Sequence, residues 1–319
     1  MPDHRLDHPP PLTFSDAERR PLSIRARALV FIDPRSRRLR DQVARLAGQR
    51  LPLLIEGEPG TGKELLARHV HRESGRAGLF VSVNCGAISV AHAEAELFGY
   101  GPGERRAGPS SRAGWFGSAN GGTLYLDEIG DLPLPLQARL LAALETGEVL
   151  RVGAAQGVPV DVRLVAATSI DLGKAVQAGK FSEPLYRYLI DGRVSLPPLR
   201  ERPGDLLPLA EYFLGVYAHR LGLPVPTIGP AAQRLLEAHA WPGNTRELEN
   251  VIHFALLVSD GRVIEPEHLN LPERDALQAL QRQLDSQLRS PDGASLEGLE
   301  GMLRRALEEV QRVRVDARP

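Results

Sequence analysis

Residues 57–63 read Gly-Glu-Pro-Gly-Thr-Gly-Lys, the G-x-x-x-x-G-K spacing of a loop that cradles phosphates. Glycines let successive backbone N–H groups turn to one side, a following helix N-terminus adds its dipole, and the lysine reaches the outer phosphates as a point charge. Gly57, Glu58, Pro59, Gly60, Thr61, Gly62 and Lys63, with Glu64 behind them, are therefore candidate nucleotide-binding residues. The bland alternative is a glycine-rich turn with an incidental lysine. Against it, only Lys63, Lys174 and Lys180 are lysines among 39 basic residues, so a chain that otherwise uses arginine has kept a compact ammonium here. Glu64 stands where a Ser or Thr commonly ligates magnesium, which leaves Mg²⁺ more dependent on other groups and on water. Those groups belong on a second strand. Leu124-Tyr125-Leu126-Asp127-Glu128 is an apolar run ending in two carboxylates, as a buried strand does when its C-terminal edge faces a nucleotide. Asp127 is the candidate metal ligand, and Glu128 the group to orient and deprotonate an attacking water. Alone, such a run is more often a strand entering a polar turn; a P-loop lysine 65 positions earlier reverses those odds.

Placing these residues on one edge requires a parallel sheet. Short β-rich runs at 51–57, 79–85, 123–129 and 162–169 alternate with helical patterns at 63–73, 90–99 and 136–147. The alternation predicts an α/β fold with helices on both faces of a mostly parallel sheet. After the proline-rich stretch 196–205 the β-branched runs stop, and three helical patterns follow at 206–222, 230–241 and 245–260. The expected organisation is a tail over 1–22, with five prolines and no apolar periodicity, an α/β nucleotide-binding domain over 23–200, and a helical lid over 201–272. A linker and a last amphipathic helix fill 273–319. With so short a tail, no N-terminal sensory domain is expected within residues 1–22.

Composition excludes several classes. Of 319 residues 42% are apolar, and 39 basic side chains face 40 acidic ones, for a net charge of −1. A chain-wide electrostatic grip on nucleic acid is therefore not expected. The lone Cys85 rules out a disulfide scaffold. With no long apolar run and no basic leader, the chain reads as a cytoplasmic protein with no membrane association.

Six ordered motifs make the sequence resemble the central AAA+ domain of sigma-54-dependent bacterial transcription activators: GEPGTGKE (57–64), FVSVNC (80–85), ELFG (96–99), GGTLYLDEIGDLP (121–133), LPPLRER (196–202) and WPGNTRELENV (241–251). The resemblance implies ring oligomers that hydrolyse ATP with Mg²⁺ and remodel the closed sigma-54 RNA polymerase complex. By it, Glu64 is a usual residue. Asn84 matches an asparagine that holds the catalytic Glu in a switchable hydrogen bond, and Arg246 matches a lid arginine that contacts the γ-phosphate. The plainer alternatives are a capped strand end for Asn84 and a solvated helix charge for Arg246.

The sequence also departs from that family. Its GAFTGA loop, which touches sigma-54, aligns with Gly103-Glu104-Arg105-Arg106-Ala107-Gly108, where the aromatic and the threonine are gone. The sensor asparagine of AATN is replaced by Ser169. The two arginine-finger positions are Ser182 and Tyr188, and Arg187 lies one residue off register, about 100° round a helix. The final helix looks like the one that precedes a Fis-type helix-turn-helix, but no turn and recognition helix follow, so direct DNA readout is not expected. Two readings remain: an ATPase with weakened or partner-dependent hydrolysis and an altered sigma-54 contact, or a non-catalytic nucleotide-binding subunit that joins or inhibits rings of an intact activator.

Overall fold

In the computed structural model, residues 30–89, 91–101, 113–259 and 261–271 are described, and residues 30–270 form one compact unit. Its centre is a five-stranded, all-parallel sheet in the order β2-β3-β6-β1-β7, built from β1 (Leu53–Glu56), β2 (Phe80–Asn84), β3 (Thr123–Asp127), β6 (Arg163–Thr168) and β7 (Arg193–Ser195). Side chains alternate across it as the pleat requires. Leu54, Leu124, Leu126, Leu164 and Ala166 enter the core on one side, beneath α3 (Ala93–Phe98), α4 (Gly114–Ser118), α5 (Leu134–Thr146), α6 (Leu172–Gln177) and α7 (Glu183–Ile190). Leu53, Ile55, Tyr125, Val165, Ala167 and Val194 face the other, against α1 (Pro34–Ala47) and α2 (Lys63–Glu73). Near-continuous apolar strands are what a sheet covered on both faces demands.

The expected α/β fold is present, and among the described residues each strand or helix read from the sequence falls on its run, with α5 and α10 starting two residues and one residue early. Periodicity did not disclose α1, α4, α6, α7, β7 or the antiparallel hairpin of β4 (Glu148–Leu150) and β5 (Gly157–Pro159). Most of these are too short for a window to register.

Beyond residue 200 come α8 (Leu206–Leu221), α9 (Pro230–Ala238) and α10 (Asn244–Val258). This part is not purely helical, as the sequence suggested. A two-residue parallel pair, β8 (Thr227–Ile228) with β9 (Val263–Ile264), joins the stretch between α8 and α9 to the one after α10. Trp241 fills the core before α10, with its indole N–H donating to Leu236 O at 2.9 Å.

Candidate nucleotide-binding site

Strand order builds the site. Because β6 is inserted between β1 and β3, the P-loop after β1 and the carboxylates ending β3 flank the end of β6, where Ser169 sits. Their C-terminal edges border a cleft of about 260 Å³ lined by Gly60, Lys63, Asn84, Asp127, Glu128 and Arg246 among others. Such an edge is where open α/β sheets receive ligands.

Lys63 opens α2 immediately after Gly62, whose φ of 103° is left-handed. Only 7% of its side chain is exposed; Nζ donates to Gly57 O and to Glu128 Oε1, each at 3.0 Å. Glu128 itself takes a left-handed conformation (φ 50°, ψ 56°) at the end of β3, an uncommon geometry for a residue with a side chain. Its other oxygen, Oε2, accepts the N–H of Ser169 at 2.8 Å and the Ser169 hydroxyl at 2.9 Å. Burial raises the Glu128 carboxyl, but these donors and Lys63 outweigh it, and the net shift is downward. Beside it, Asp127 Oδ1 accepts the Tyr125 hydroxyl at 2.9 Å; burial pushes the Asp127 carboxyl up, opposed by that bond and by Lys63.

Asn84 ends the edge strand β2 in register with Asp127. The resemblance led us to expect a bond to Glu128, and none is made. Asn84 Oδ1 instead accepts the Gly86 N–H at 2.9 Å, the capped strand end, while Ser169 and Lys63 occupy the Glu128 oxygens. Arg246, in the first turn of α10, lines the cleft and has no hydrogen-bond or ion-pair partner among the described residues.

Within the P-loop, Pro59, Gly60, Gly62, Lys63 and Glu64 border the cleft, whereas Gly57, Glu58 and Thr61 do not. Glu58 turns toward the helical part. Arg200 grips it with both terminal nitrogens (2.8 and 2.5 Å), and Asn244 Nδ2 donates to it at 3.0 Å. The Arg200 bonds, against burial and helped by Asn244, hold its carboxyl at about 2. The Thr61 hydroxyl donates to Glu58 O at 2.7 Å. Glu64 pairs with Arg68 one turn along α2, at 2.8 Å.

On α7, Ser182 is the N-cap, Tyr188 is half-buried, and Arg187 pairs only with Glu183 of its own helix, at 2.5 Å with three-quarters of its side chain exposed. Gly103, Glu104, Arg105 and Arg106 lie outside the described residues, as do the tail and the last helix. No cluster of three metal-ligating side chains exists among the described residues. Asp127 can supply one carboxylate, which suits Mg²⁺ held chiefly by phosphates and water.

Sequence reasoning noted Ser169 only as a shorter replacement and assigned nothing to Arg200, Arg202 or Asn244. The last three lie within the LPPLRER and WPGN motifs, so their signal was present, but their partners are 141 to 186 positions away.

Residues 29–195 match the Sigma-54 interaction domain family and residues 200–285 the AAA+ ATPase lid domain. The chain is 47% identical over 285 residues to the sigma54-dependent transcriptional activator SfnR of Pseudomonas putida, covering 89% of this chain and 75% of that protein. It is 50% identical over 250 residues to the SfnR regulator of Pseudomonas fluorescens, covering 78% and 68%. Among solved structures it resembles NtrX from Brucella abortus in complex with ADP, with a TM-score of 0.70 and 32% identity over 79% of this chain, but it spans only 59% of that one. A second NtrX structure, in complex with ATP, matches equally well. Among the described residues, no helix is long and apolar enough to cross a membrane. With the P-loop and the paired carboxylates at one sheet edge and both family matches in sequence order, the chain belongs to the family of sigma-54-dependent transcriptional activators and carries its AAA+ domain.

Proposed function

We propose that this chain binds ATP with Mg²⁺ between an α/β domain (23–200) and a lid (201–272), assembles into rings, and regulates sigma-54 RNA polymerase with hydrolysis that depends on a partner subunit. The observation that carries the nucleotide part is the Lys63–Glu128–Ser169 arrangement at the mouth of the P-loop. Crystals of the related NtrX with ADP and with ATP support it. When ATP enters, Lys63 is drawn to the phosphates and releases Oε1 of Glu128. Ser169 keeps hold of Oε2, so the freed oxygen is the one available to a water. Asp127 is the ligand for a metal that arrives with the nucleotide.

Partner dependence is supported by α7. A trans-acting arginine is worth about 10³ to 10⁵ in phosphoryl-transfer rate, and the family's finger positions hold Ser182 and Tyr188. An intact activator in the same ring would supply the missing cation. In the partner loop, Arg105 and Arg106 replace an aromatic and a hydroxyl, so the contact with sigma-54 is altered; burying two guanidinium groups against a surface shaped for an aromatic is unfavourable unless carboxylates meet them.

The decisive experiment is ATP turnover by the purified protein, alone and mixed with an intact family member whose own catalytic Glu is changed to Gln. Slow turnover alone and faster turnover in the mixture are expected. Fast turnover by the homogeneous protein would overturn the partner dependence. For the contact, a gel shift with sigma-54, promoter DNA and a transition-state nucleotide analogue should give no stable complex with this protein alone.

A further inference from the structure

A phosphate loop works only when its amides face the phosphates, and in this protein side chains outside the loop turn two of them. A trans peptide carries its C=O and the following N–H on opposite sides, and no cis peptide occurs among the described residues. A carbonyl held outward therefore turns the next amide inward. Pro59 O accepts from Asn244 Nδ2 at 3.1 Å, and Thr61 O accepts from Arg202 Nη2 at 3.0 Å, with a longer contact from Thr245 Oγ1 at 3.4 Å. The amides that follow, Gly60 N–H and Gly62 N–H, meet no acceptor among the described residues, and both glycines border the cleft. Space is set by the same contact: a Cβ on Gly60 would collide with the carbonyl oxygen of Gly243, next to Asn244.

Both donors are themselves held. Asn244 is fully buried in the left-handed region (φ 53°), and its Oδ1 accepts the Leu199 N–H at 2.8 Å. Arg202 is 4% exposed and faces the fully buried Asp205 at 3.7 Å. Asp205 in turn accepts the N–H groups of Ile32 and Asp33, each at 2.8 Å, and the Ser36 hydroxyl. Arg202 Nε has no partner, so this guanidinium is buried at a cost that packing alone does not explain.

We propose that Arg202 and Asn244 are positioning residues for the phosphate cradle: by holding the Thr61 and Pro59 carbonyls they aim the Gly62 and Gly60 amides. Seating of the hinge and lid on the loop and grip on the phosphate then become one equilibrium, and each strengthens the other by the same factor. The inference rests on reading this loop as the nucleotide site.

The test compares ADP with adenosine, which carries no phosphate, on the full chain and two variants. Arg202→Lys keeps the charge opposite Asp205 but loses the fork that serves Asp205 and Thr61 together. Asn244→Gly removes the donor while tolerating the positive φ. Each variant should weaken ADP binding about tenfold and change adenosine binding by less than about twofold. A merely structural role would weaken both ligands alike, and that result overturns the proposal, as does unchanged ADP affinity. Far-UV circular dichroism checks folding; should Arg202→Lys not fold, Asn244→Gly decides alone. If the wild-type protein fails to bind ADP while folded, the nucleotide-site reading falls and this inference with it.

Discussion

The cleft and helix α7 treat their charges in opposite ways. In the cleft, Lys63 is nearly buried with two acceptors, Glu128 is held by three donors, and Asp127 shares a bond with Tyr125. Each is oriented before any ligand arrives, and pre-orientation is what makes electrostatic catalysis effective. On α7, Arg187 reaches only a glutamate one turn away, in solvent, where such pairs contribute little. The candidate groups of the cleft are held by the fold; the arginine on α7 is not. An arginine's presence is therefore weak evidence for a role, and its surroundings are strong evidence.

The largest expected effect is at Lys63. Lys63→Ala should abolish measurable nucleotide binding in a fluorescent-ATP titration, because Lys63 is the cation held inside the loop, whereas Arg246 reaches the cleft from the first turn of α10; equal affinity would break the contrast at its strong end. Next is Glu128→Gln, which should preserve ATP binding and lower turnover in mixed rings by about 10² to 10⁴. Ser169→Ala follows, with a loss of about tenfold in turnover and little change in binding, since it removes one of two donors from Oε2. Asn84→Ala should cost less than Ser169→Ala, because Asn84 caps a turn here; the reverse order would mean the glutamate changes partner during the cycle. Arg187→Ala should leave turnover unchanged and shift stability by less than about 0.5 kcal/mol in urea unfolding.

A small, pH-dependent effect is expected at Glu58. Its carboxyl lies at about 2 in the folded protein against an ordinary 4.5. The sign follows from the depressed value: stabilisation is present above about pH 4.5 and is lost as pH falls toward 2, when the carboxylate is protonated and releases Arg200. Because more than a third of the group is exposed, solvent keeps the contribution below about 1 kcal/mol. Acid titrations of the wild type and Glu58→Gln should converge near pH 2 and separate slightly above pH 5.

The cleft was legible in the sequence to the extent that its members are contiguous. The P-loop and the Leu124–Glu128 run each carry local chemistry, a turn that only glycines permit and an apolar strand ended by carboxylates, and both stand at strand ends in the structure. Ser169 was visible only as a missing asparagine. Its value comes from β6 lying between β1 and β3, an order that periodicity along the chain does not encode. Asn84 shows the converse: resemblance implied a partner for it, and local geometry at the strand end took its side chain first.

The sequence by itself determined the α/β alternation, the phosphate loop, the carboxylate pair and the family, because each rests on residues close together in the chain or on the order of such blocks. Tertiary structure alone decided which oxygen of Glu128 is held and by what, that Glu58 faces the lid rather than the cleft, and that Arg202 and Asn244 hold the loop carbonyls. Those contacts join segments more than 40 and up to 186 positions apart. Distances of that kind are set by how strands order and helices pack, which no local pattern of residues specifies.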